Sequence, residues 1–583
     1  MLINLFALVI IYTLFFIVII GSGVFFNKFF FKEQKLSLGE MGIYGFFNIY
    51  LLVLITHFFF PINQFIIIST GLLFIILFAN NISNIFKKSN LNNISFLFVF
   101  IIFLTLSITN NHHDDLYIFQ LPIINYMQNH KIVFGLINLN DYIGQGHSLY
   151  EIMSYFKVPF YGNRTYFIIP IIFVHFFVIY LLENFDKKNN NIISYLVFFI
   201  ISLLVIRFNR SKEYGTDLPI LCLLFFVQIN FYKFLYDQKL IYFYKSTLAI
   251  LFAVILKLYS ILSVFYLLPF VFLLKKNILN LFKKKTFLLL LFSIFLLTIL
   301  KNLMVSGCGI YPIKQVCLSK EIAPWSIGKE IADKRNKFYS AQVLGWKSYV
   351  RNNPEKGFVN AEEYLKIPLK EKYKYLLKDK DIEKILTGIV LLVIFILISI
   401  NKSKKFEYLK INKLEKIIIL FFLLIPLLIW IIKLPQSRYG FFAYISYFVL
   451  STLFLFGKLG PLNLKLIKIS SIVLLSFLIT KNANRIITEI KNNNFINNQY
   501  PIKNFRISNY NTFKLNGFNI NVPKNGMLEC ANIPMLCASF IESINKIQKK
   551  NDYIFIYNNI DGLKKHLHKS AYHDMIEMNS EVK

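Results

Sequence analysis

The chain has 583 residues, of which 56% are hydrophobic and only 16% are charged, against roughly 25% in soluble domains. A soluble fold of this composition would expose much apolar surface to water, so a soluble enzyme and a disordered chain are both excluded. The net charge of +33 would suggest a nucleic-acid partner in a soluble protein, so its meaning depends on where the positive residues lie.

Long apolar runs predict segments that span a membrane. These segments are expected to be helices, because backbone polar groups in lipid must form hydrogen bonds within the chain. The first, Leu2–Phe26, lacks the positive segment and cleavage site of a signal peptide. Ser246–Leu274 is broken by Lys257 and Ser260 and predicts two short spans joined by a hairpin. We expect about fourteen crossings in an all-α polytopic membrane protein. The other predicted spans are 43–60, 64–79, 94–109, 166–182, 192–205, 218–235, 287–304, 385–400, 417–432, 441–456 and 466–480.

Lysine clusters fall in alternate loops, as the positive-inside rule expects of cytoplasmic loops. The positive charge is therefore mostly a signal of orientation and not of nucleic acid. A transmembrane domain over 1–481 would then carry large external loops at 110–165 and 305–384, followed by an external region at 482–583. That region has alternating stretches at 518–522 and 553–557 and a helical run near 540–549, which predicts a small α/β region.

The five cysteines test this orientation. Cys222 lies inside a span and is expected to be a packed apolar residue. Cys308 and Cys317 fall in the second large loop, and Cys530 and Cys537 fall in the C-terminal region. Their spacings are not those of zinc ribbons and no histidine is close, so two disulfides are favoured over metal sites.

An acidic motif follows the fourth predicted span, at His112-His113-Asp114-Asp115. Two adjacent carboxylates at a membrane surface are costly unless they bind a cation, a proton or a nucleophile. The next stretch, 116–128, is amphipathic and is expected to lie along the interface. Two alternatives stay open: Asp114 or Asp115 simply caps that helix, and the histidines are metal ligands or solvated loop residues.

Three further segments on the same predicted side carry polar groups. Gly144–Ser148 is a turn or a substrate contact. Arg210 and Lys212 depart from the positive-inside trend, and Asp217 begins a span, where a carboxylate suits the helix dipole. The loop that begins at Ser306 and contains Tyr311 is expected to form a turn of defined conformation.

Two cations complete the predicted site. Lys257 lies in an apolar stretch, where a charged residue usually has a function. The alternative is that its long aliphatic side chain carries the ammonium group to the membrane interface. Arg438, followed by Tyr439, begins another span, and its guanidinium can grip a phosphate through two hydrogen bonds. Carboxylates and cations on one face suit sugar transfer from a lipid phosphate. The cations stabilise the phosphate leaving group, a carboxylate takes the acceptor proton, and in-line attack inverts the anomeric centre.

This arrangement resembles the GT-C superfamily of polytopic membrane glycosyltransferases, and more closely an uncharacterised group of large bacterial membrane proteins of that type. The resemblance covers about 94–537 and rests on the order of individually weak motifs. These are His113-Asp114-Asp115-Leu116-Tyr117, Leu121-Pro122, 131–136, 215–219, Lys257, Ser306-Gly307 with Tyr311-Pro312, Arg438-Tyr439-Gly440, and Cys530 with Cys537.

The resemblance implies a GT-C-like fold in the bacterial inner membrane, with its active face external and a role in cell-surface glycan assembly. Asp115, or else Asp114, matches the catalytic acidic position, and the implied donor is a polyprenyl-phosphate-linked sugar with a glycan or lipid acceptor. Some members of the superfamily use a divalent metal, and no full ligand set is evident here. The substrate-binding residues predicted from the motifs and the resemblance are His113, Arg210, Lys212, Asp217, Lys257, Tyr311, Arg438 and Tyr439.

Three other functions remain open. A flippase or transporter of lipid-linked glycan would often show paired repeats with broken helices, and the sequence shows no repeat. A glycan polymerase would have a similar external loop but no need of the carboxylate pair. A structural or assembly protein would use its external segments to bind a partner.

Overall fold

The chain is mainly helical. Its computed structural model describes residues 2–31, 36–88, 93–108, 115–145, 148–185, 192–207, 215–274, 284–351, 359–376, 412–456, 464–491, 509–524, 530, 536–539 and 541–564. In chain order the α-helices are α1 (Leu2–Phe30), α2 (Leu38–Phe59), α3 (Gln64–Ala79), α4 (Ile82–Lys88), α5 (Asn93–Ser107), α6 (Leu121–Asn129), α7 (Ser148–Ser154), α8 (Ile168–Glu183), α9 (Ile192–Arg207), α10 (Asp217–Asp237), α11 (Leu240–Leu256), α12 (Leu267–Leu273), α13 (Lys285–Ser306), α14 (Lys329–Val343), α15 (Trp346–Arg351), α16 (Ala361–Lys366), α17 (Leu369–Leu376), α18 (Lys413–Lys433), α19 (Ser437–Phe456) and α20 (Leu464–Lys491). The strands are β1 (Tyr510–Leu515), β2 (Phe518–Pro523), β3 (Ile544–Lys550) and β4 (Tyr553–Asn558).

Six of the described helical segments are long and apolar enough to cross a membrane: α1, α2, Asn163–Glu183 around α8, α10, α13 and α18. Shorter apolar helices accompany them, among them α3, α5 and α11. Every predicted span coincides with a helix except 385–400, which lies outside the described residues. The multi-helix prediction is therefore confirmed in outline, and the count of fourteen crossings stays a prediction.

The helices bury apolar and small residues at the centre and expose apolar residues outside. α10 buries nearly all its side chains, whereas α13 exposes Leu289 and Phe292 at 66% and 63%. An exposed surface of this kind suits lipid and not water. α1 and α2 approach so closely that a Cβ on Gly23 would lie 1.9 Å from the Met41 carbonyl oxygen, which is the small-residue packing typical of membrane helices.

One end of the bundle is closed by buried charges. At the start of α2, Ser37 and Glu40 form a reciprocal capping box. Lys245 Nζ lies 2.6 Å from Glu40 Oε1, and both side chains are buried. The Glu183 carboxylate accepts hydrogen bonds from the backbone N–H groups of Leu38 and Gly39. This end of α2, α8 and α11 is thus held together by ionic and capping interactions.

The opposite end is covered by the segment after α5 and by the C-terminal strands. The strands form two antiparallel hairpins, β1–β2 and β3–β4, and not a single α/β sheet. Phe134 joins the second hairpin, because its N–H donates to the Ile554 carbonyl and its own carbonyl accepts from Ile556 N–H, both at 2.9 Å. The predicted boundary at 481/482 falls inside the continuous helix α20.

Two expectations about these segments are wrong. The run 540–549, expected to be helical, contributes strand β3, because it pairs with β4 across a tight turn in which Asn551 and Asp552 both have positive φ. The stretch 116–128 is helical but does not lie on a surface. Its residues are largely buried, since α7 packs on one side and Tyr126 donates to the Cys537 carbonyl on the other.

Both disulfides are formed as expected, between Cys308 and Cys317 and between Cys530 and Cys537. Cys222 is a free, fully buried thiol within α10, which confirms its assignment as a packed apolar residue. The first disulfide closes the loop that leaves α13, and the second closes a loop beside α6.

Candidate functional site

A lysine and a carboxylate meet where α10 begins and α11 ends. Lys257 is not inside a helix: it follows the last residue of α11 with an extended backbone, φ −163° and ψ 127°, and a 3₁₀ helix continues from Leu258 to Tyr266. Its Nζ lies 2.7 Å from Asp217 Oδ1, with the two side chains 23% and 25% exposed. The expected intramembrane lysine is therefore a lysine at a helix break, paired but still accessible.

Tyr150 of α7 lies close enough to this ion pair and to Asp115 to feel both carboxylate charges. Burial raises the pKa of the Tyr150 phenol well above its usual value, and the negative charges of Asp115 and Asp217 raise that pKa further. The side chain of Gln120 also hydrogen-bonds the phenol. The phenol therefore stays protonated in the neighbourhood of the two carboxylates.

Asp115 does not act as a simple helix cap. It has helical dihedral angles, and its side chain makes no capping hydrogen bond to the π-helix at Leu116–Gln120 that follows it. π-Helical turns are rare and often accompany functional sites. Gln120 is 4% exposed, and its Oε1 has no hydrogen-bond partner among the described residues. We define Asp115, Gln120, Tyr150, Asp217 and Lys257 as the acidic cluster.

The acidic cluster unites three of the predicted residues, Asp115, Asp217 and Lys257. Tyr311 is elsewhere: it is buried in a small core with Ile137 and the Cys308–Cys317 disulfide. Other predicted positions lie outside the described residues, namely His113, Asp114, Arg210 and Lys212. Arg438 and Tyr439 form the first turn of α19, and their side chains also lie outside the described part of the chain.

A second polar group, not predicted, lies on the same helix α7. Glu151, next to Tyr150, pairs with Lys301 of α13, and both side chains are only 9% exposed. Lys301 lies within the predicted span 287–304, so the signal that drew attention to Lys257, a charge in an apolar run, also applies to it. Glu151 had no such signal, because it lies in a loop of mixed composition.

A third buried pair joins Asp141 to Arg335 of α14, where both side chains are nearly inaccessible. The guanidinium lies over the rings of Tyr142 and Phe338, with its central carbon 4.7 and 5.0 Å from their centroids. This arrangement fastens α14 to the segment that follows α6. It was not predicted, because both residues are ordinary polar positions in the sequence.

Among the described residues, no group of three or more His, Cys, Asp or Glu side chains could hold a metal ion. The acidic cluster contains two carboxylates and one lysine, which meet where α10 begins and α11 ends. This set suits proton transfer and anion binding better than metal ligation.

The family model described as "Domain of unknown function (DUF8201)" matches residues 1–446, well over half of the chain, so the chain belongs to that family. The matched range includes the whole acidic cluster. No curated protein matches the chain, and no solved structure does.

Proposed function

We propose that this member of the DUF8201 family is an integral membrane glycosyltransferase of the GT-C type. It would move a sugar from a polyprenyl-phosphate-type donor to a glycan or lipid acceptor, in cell-surface glycan assembly. The observation that carries the proposal is the acidic cluster, which groups two carboxylates, a lysine and a protonated tyrosine at one end of an apolar helical bundle.

The lysines at the other end of the bundle support the orientation that we propose. Lys28 lies near the end of α1, and Lys239 and Lys285 lie at the starts of α11 and α13. Each of these helix ends is opposite the acidic cluster. By the positive-inside rule that end is cytoplasmic, so the cluster faces the outside of a bacterial inner membrane crossed about fourteen times.

In the proposed reaction the acceptor hydroxyl attacks the anomeric carbon of the donor sugar. A bond forms between the acceptor oxygen and that carbon, while the bond from the carbon to the phosphate oxygen breaks. Asp115 takes the acceptor proton, and the electron pair leaves with the phosphate. Because the attack is in line, the anomeric configuration is inverted.

Lys257 provides the charge that stabilises the leaving phosphate. Its ammonium group is held by Asp217 at 2.7 Å, yet the Lys257 side chain is 23% exposed, so in this proposal it contacts a lipid phosphate that arrives from the membrane. The protonated Tyr150 phenol can donate a hydrogen bond to the substrate in this proposal. Arg438, at the start of α19, is a further phosphate ligand in this proposal.

The proposal is tested by Asp115→Asn and by Asp217→Asn, with Asp237→Asn as the matched control. Asp237 is the last residue of α10, the helix that Asp217 begins, and its carboxylate is 42% exposed. We expect the first two variants to lose surface glycan, and to lose sugar transfer from a polyprenyl-phosphate donor in membranes, while the protein accumulates normally. The control should keep both.

Two results would count against the proposal. If Asp115→Asn and Asp114→Asn together leave the glycan unchanged, the catalytic role of the acidic motif is wrong. If glycan is lost but lipid-linked precursor builds up on the cytoplasmic side of the membrane, the protein moves the precursor and does not transfer the sugar.

A further inference from the structure

A surface of partly exposed aromatic rings lies where the hairpin β3–β4 meets the helical bundle. Because side chains alternate along a strand, Ile554 and Ile556 of β4 are buried, while the residues between and beside them lie on the other face. Two further rings pack there: Phe134 stacks on Phe555 with centroids 4.4 Å apart, and the Trp325 ring lies 5.0 Å from that of Phe134. We define the aromatic platform as the five partly exposed residues Phe134, Trp325, Tyr553, Phe555 and Tyr557.

The aromatic platform is level with the ends of two membrane-length helices, α2 and α13. The Tyr553 phenol donates to the Phe58 carbonyl, in the last turn of α2, at 3.0 Å. The Trp325 indole N–H donates to the Leu303 carbonyl, in the last turn of α13, at 3.2 Å. Tyrosine and tryptophan concentrate at membrane–water interfaces, where the ring meets apolar groups and the polar atom finds a partner. The platform therefore lies at the depth of the lipid headgroups.

Apolar surface continues from the platform along the two helices. Phe59 and Phe60, which follow the residue that Tyr553 contacts, are 63% and 61% exposed. Leu300, one turn before Leu303, is 41% exposed. Exposed apolar side chains at the end of a membrane helix are covered by lipid and not by water. Lipid thus reaches the edge of the platform.

Three lysines surround the platform. In the register of the hairpin, Lys546 is opposite Tyr557 and Lys550 is opposite Tyr553, and residues directly opposite each other share a face of the sheet. Both lysines are exposed. Lys131, which precedes Phe134 in the segment that joins the hairpin, has its Nζ 4.0 Å above the centroid of the Tyr553 ring.

The charge of these lysines is not neutralised within the described part of the chain. The ion pair of this hairpin joins Lys549 to Asp552 and includes none of the three. A lysine can lay its aliphatic stem along aromatic rings and place its ammonium group among lipid headgroups. Three such groups at one membrane surface attract a negatively charged lipid.

We propose that the aromatic platform, with Lys131, Lys546 and Lys550, is a binding surface for anionic phospholipid in the leaflet around this end of the bundle. The rings contact the upper part of the acyl chains, and the ammonium groups pair with the negative headgroup. Such binding holds the hairpin β3–β4 against the membrane. The inference concerns lipid binding and does not depend on the proposed transfer reaction.

Trp325 is a native fluorescent reporter in the platform. The full chain is placed in phosphatidylcholine nanodiscs that contain either brominated phosphatidylglycerol or an equal fraction of brominated phosphatidylcholine. The emission of Trp325 is the difference between the native chain and Trp325→Phe, which cancels the other two tryptophans. We expect both lipids to quench it, with a preference for phosphatidylglycerol of at least roughly fivefold, the effect of one lysine near an anionic lipid surface. High salt should reduce that preference.

The double substitution Lys546→Gln with Lys550→Gln tests the role of the charges. Both side chains are exposed, so the fold should survive, and the preference should fall towards one. Lys329→Gln with Lys366→Gln is the matched control, because these exposed lysines of α14 and α16 change the net charge equally. The control should keep the native preference. If the hairpin detaches in the double variant, Lys131→Gln, outside the hairpin, decides, and it should also lower the preference.

Three results would overturn the proposal. The first is equal quenching by the two brominated lipids in the native chain. The second is the same preference in the lysine variants and in the control. The third is no quenching by either lipid, which would mean that the platform faces water; if soluble polygalacturonate then shifts the emission of Trp325, the surface binds an acidic glycan instead.

Discussion

Helix α11 carries a lysine at each end, and the two differ in what surrounds them. Lys245, near its start, and its partner Glu40 are 8% and 5% exposed. They lie at the start of α2, where Ser37 and Glu40 form the capping box and Glu183 accepts hydrogen bonds from the backbone. Lys257, just past its end, and Asp217 are 23% and 25% exposed, beside a buried tyrosine and a second carboxylate. Their ion-pair distances, 2.6 and 2.7 Å, are almost the same.

The difference shows that the geometry of an ion pair does not reveal its role. The Lys245 pair is sealed, so no substrate can reach it, and its removal should affect folding. The Lys257 pair is reachable and has other polar groups around it, so its removal should affect chemistry. The variants that follow separate these two effects.

Lys245→Met should have the largest effect on stability. It leaves the Glu40 carboxylate buried without its partner, and breaking a buried pair costs about 3–5 kcal/mol. The measurement is the thermal midpoint of the solubilised protein, together with its accumulation in membranes. Lys239→Met is the control, since that lysine is 66% exposed just before α11, and it should change little.

A double variant sharpens this result. Glu40→Gln with Lys245→Met removes both charges, so most of the lost stability should return. If the single and the double variants are equally unstable, packing and not charge explains the loss at this end of α11.

Lys257→Met should instead affect sugar transfer. Loss of a preorganised cationic contact lowers turnover by about 10²–10³. The free energy of unfolding should change by no more than about 1 kcal/mol, because the pair is partly solvated. Transfer is measured in membranes, and unfolding in detergent. A large loss of stability with unchanged transfer per folded molecule would reverse the comparison between the two lysines.

Replacing Cys530 and Cys537 by serine should have an intermediate effect on the end that holds Lys257. The disulfide links residues seven apart, and loss of such a short loop costs about 2–3 kcal/mol in the chain-entropy model. Because Cys537 contacts both Tyr126 and Asn521 of β2, the hairpin β1–β2 should loosen from α6 and become sensitive to protease, whereas β3–β4 stays attached through Phe134. Cys222→Ala, which breaks no disulfide, is the control, and its protease pattern should remain native.

The smallest expected effect is a pH dependence from His130, which lies at the same end. Burial lowers its pKa from the ordinary value of 6.5, so the folded state holds it neutral. As the pH falls below 6.5 the unfolded chain binds a proton that the folded chain does not, and stability is lost. His130→Asn should therefore show a smaller fall in thermal midpoint from neutral to acidic pH. If the variant and the native chain show the same fall in thermal midpoint, the pH dependence comes from other groups.

Part of the candidate site was accessible from the sequence, for a physical reason. Charged residues are rare in apolar runs, so Lys257 and Asp217 stand out, and adjacent carboxylates after a span mark Asp115. Tyr150 and Glu151 gave no such signal, because tyrosine and glutamate are ordinary in a mixed loop. Only the packing of α7 against α6 and α2 brings Glu151 to Lys301 of α13 and Tyr150 to Gln120, Asp115 and Asp217.

The C-terminal hairpins show the same limit. Alternation at 518–522 and 553–557 indicated strands correctly, whereas β3 was missed because its lysines and glutamine favour a helix locally. Strand pairing outweighs that preference. The turns did carry a local signal: Asn516 and Gly517, like Asn551 and Asp552, all adopt positive φ, as tight hairpin turns require.

The sequence by itself determined the apolar helices, their approximate limits, the free Cys222 and the cysteines that pair, because these follow from local composition and chain order. The tertiary structure decided which charges meet. Lys245 finds Glu40 across 205 residues of sequence, and Lys257 finds Asp217 across 40. Helix packing sets such partners, and it also decides whether a pair is sealed or left open to a substrate.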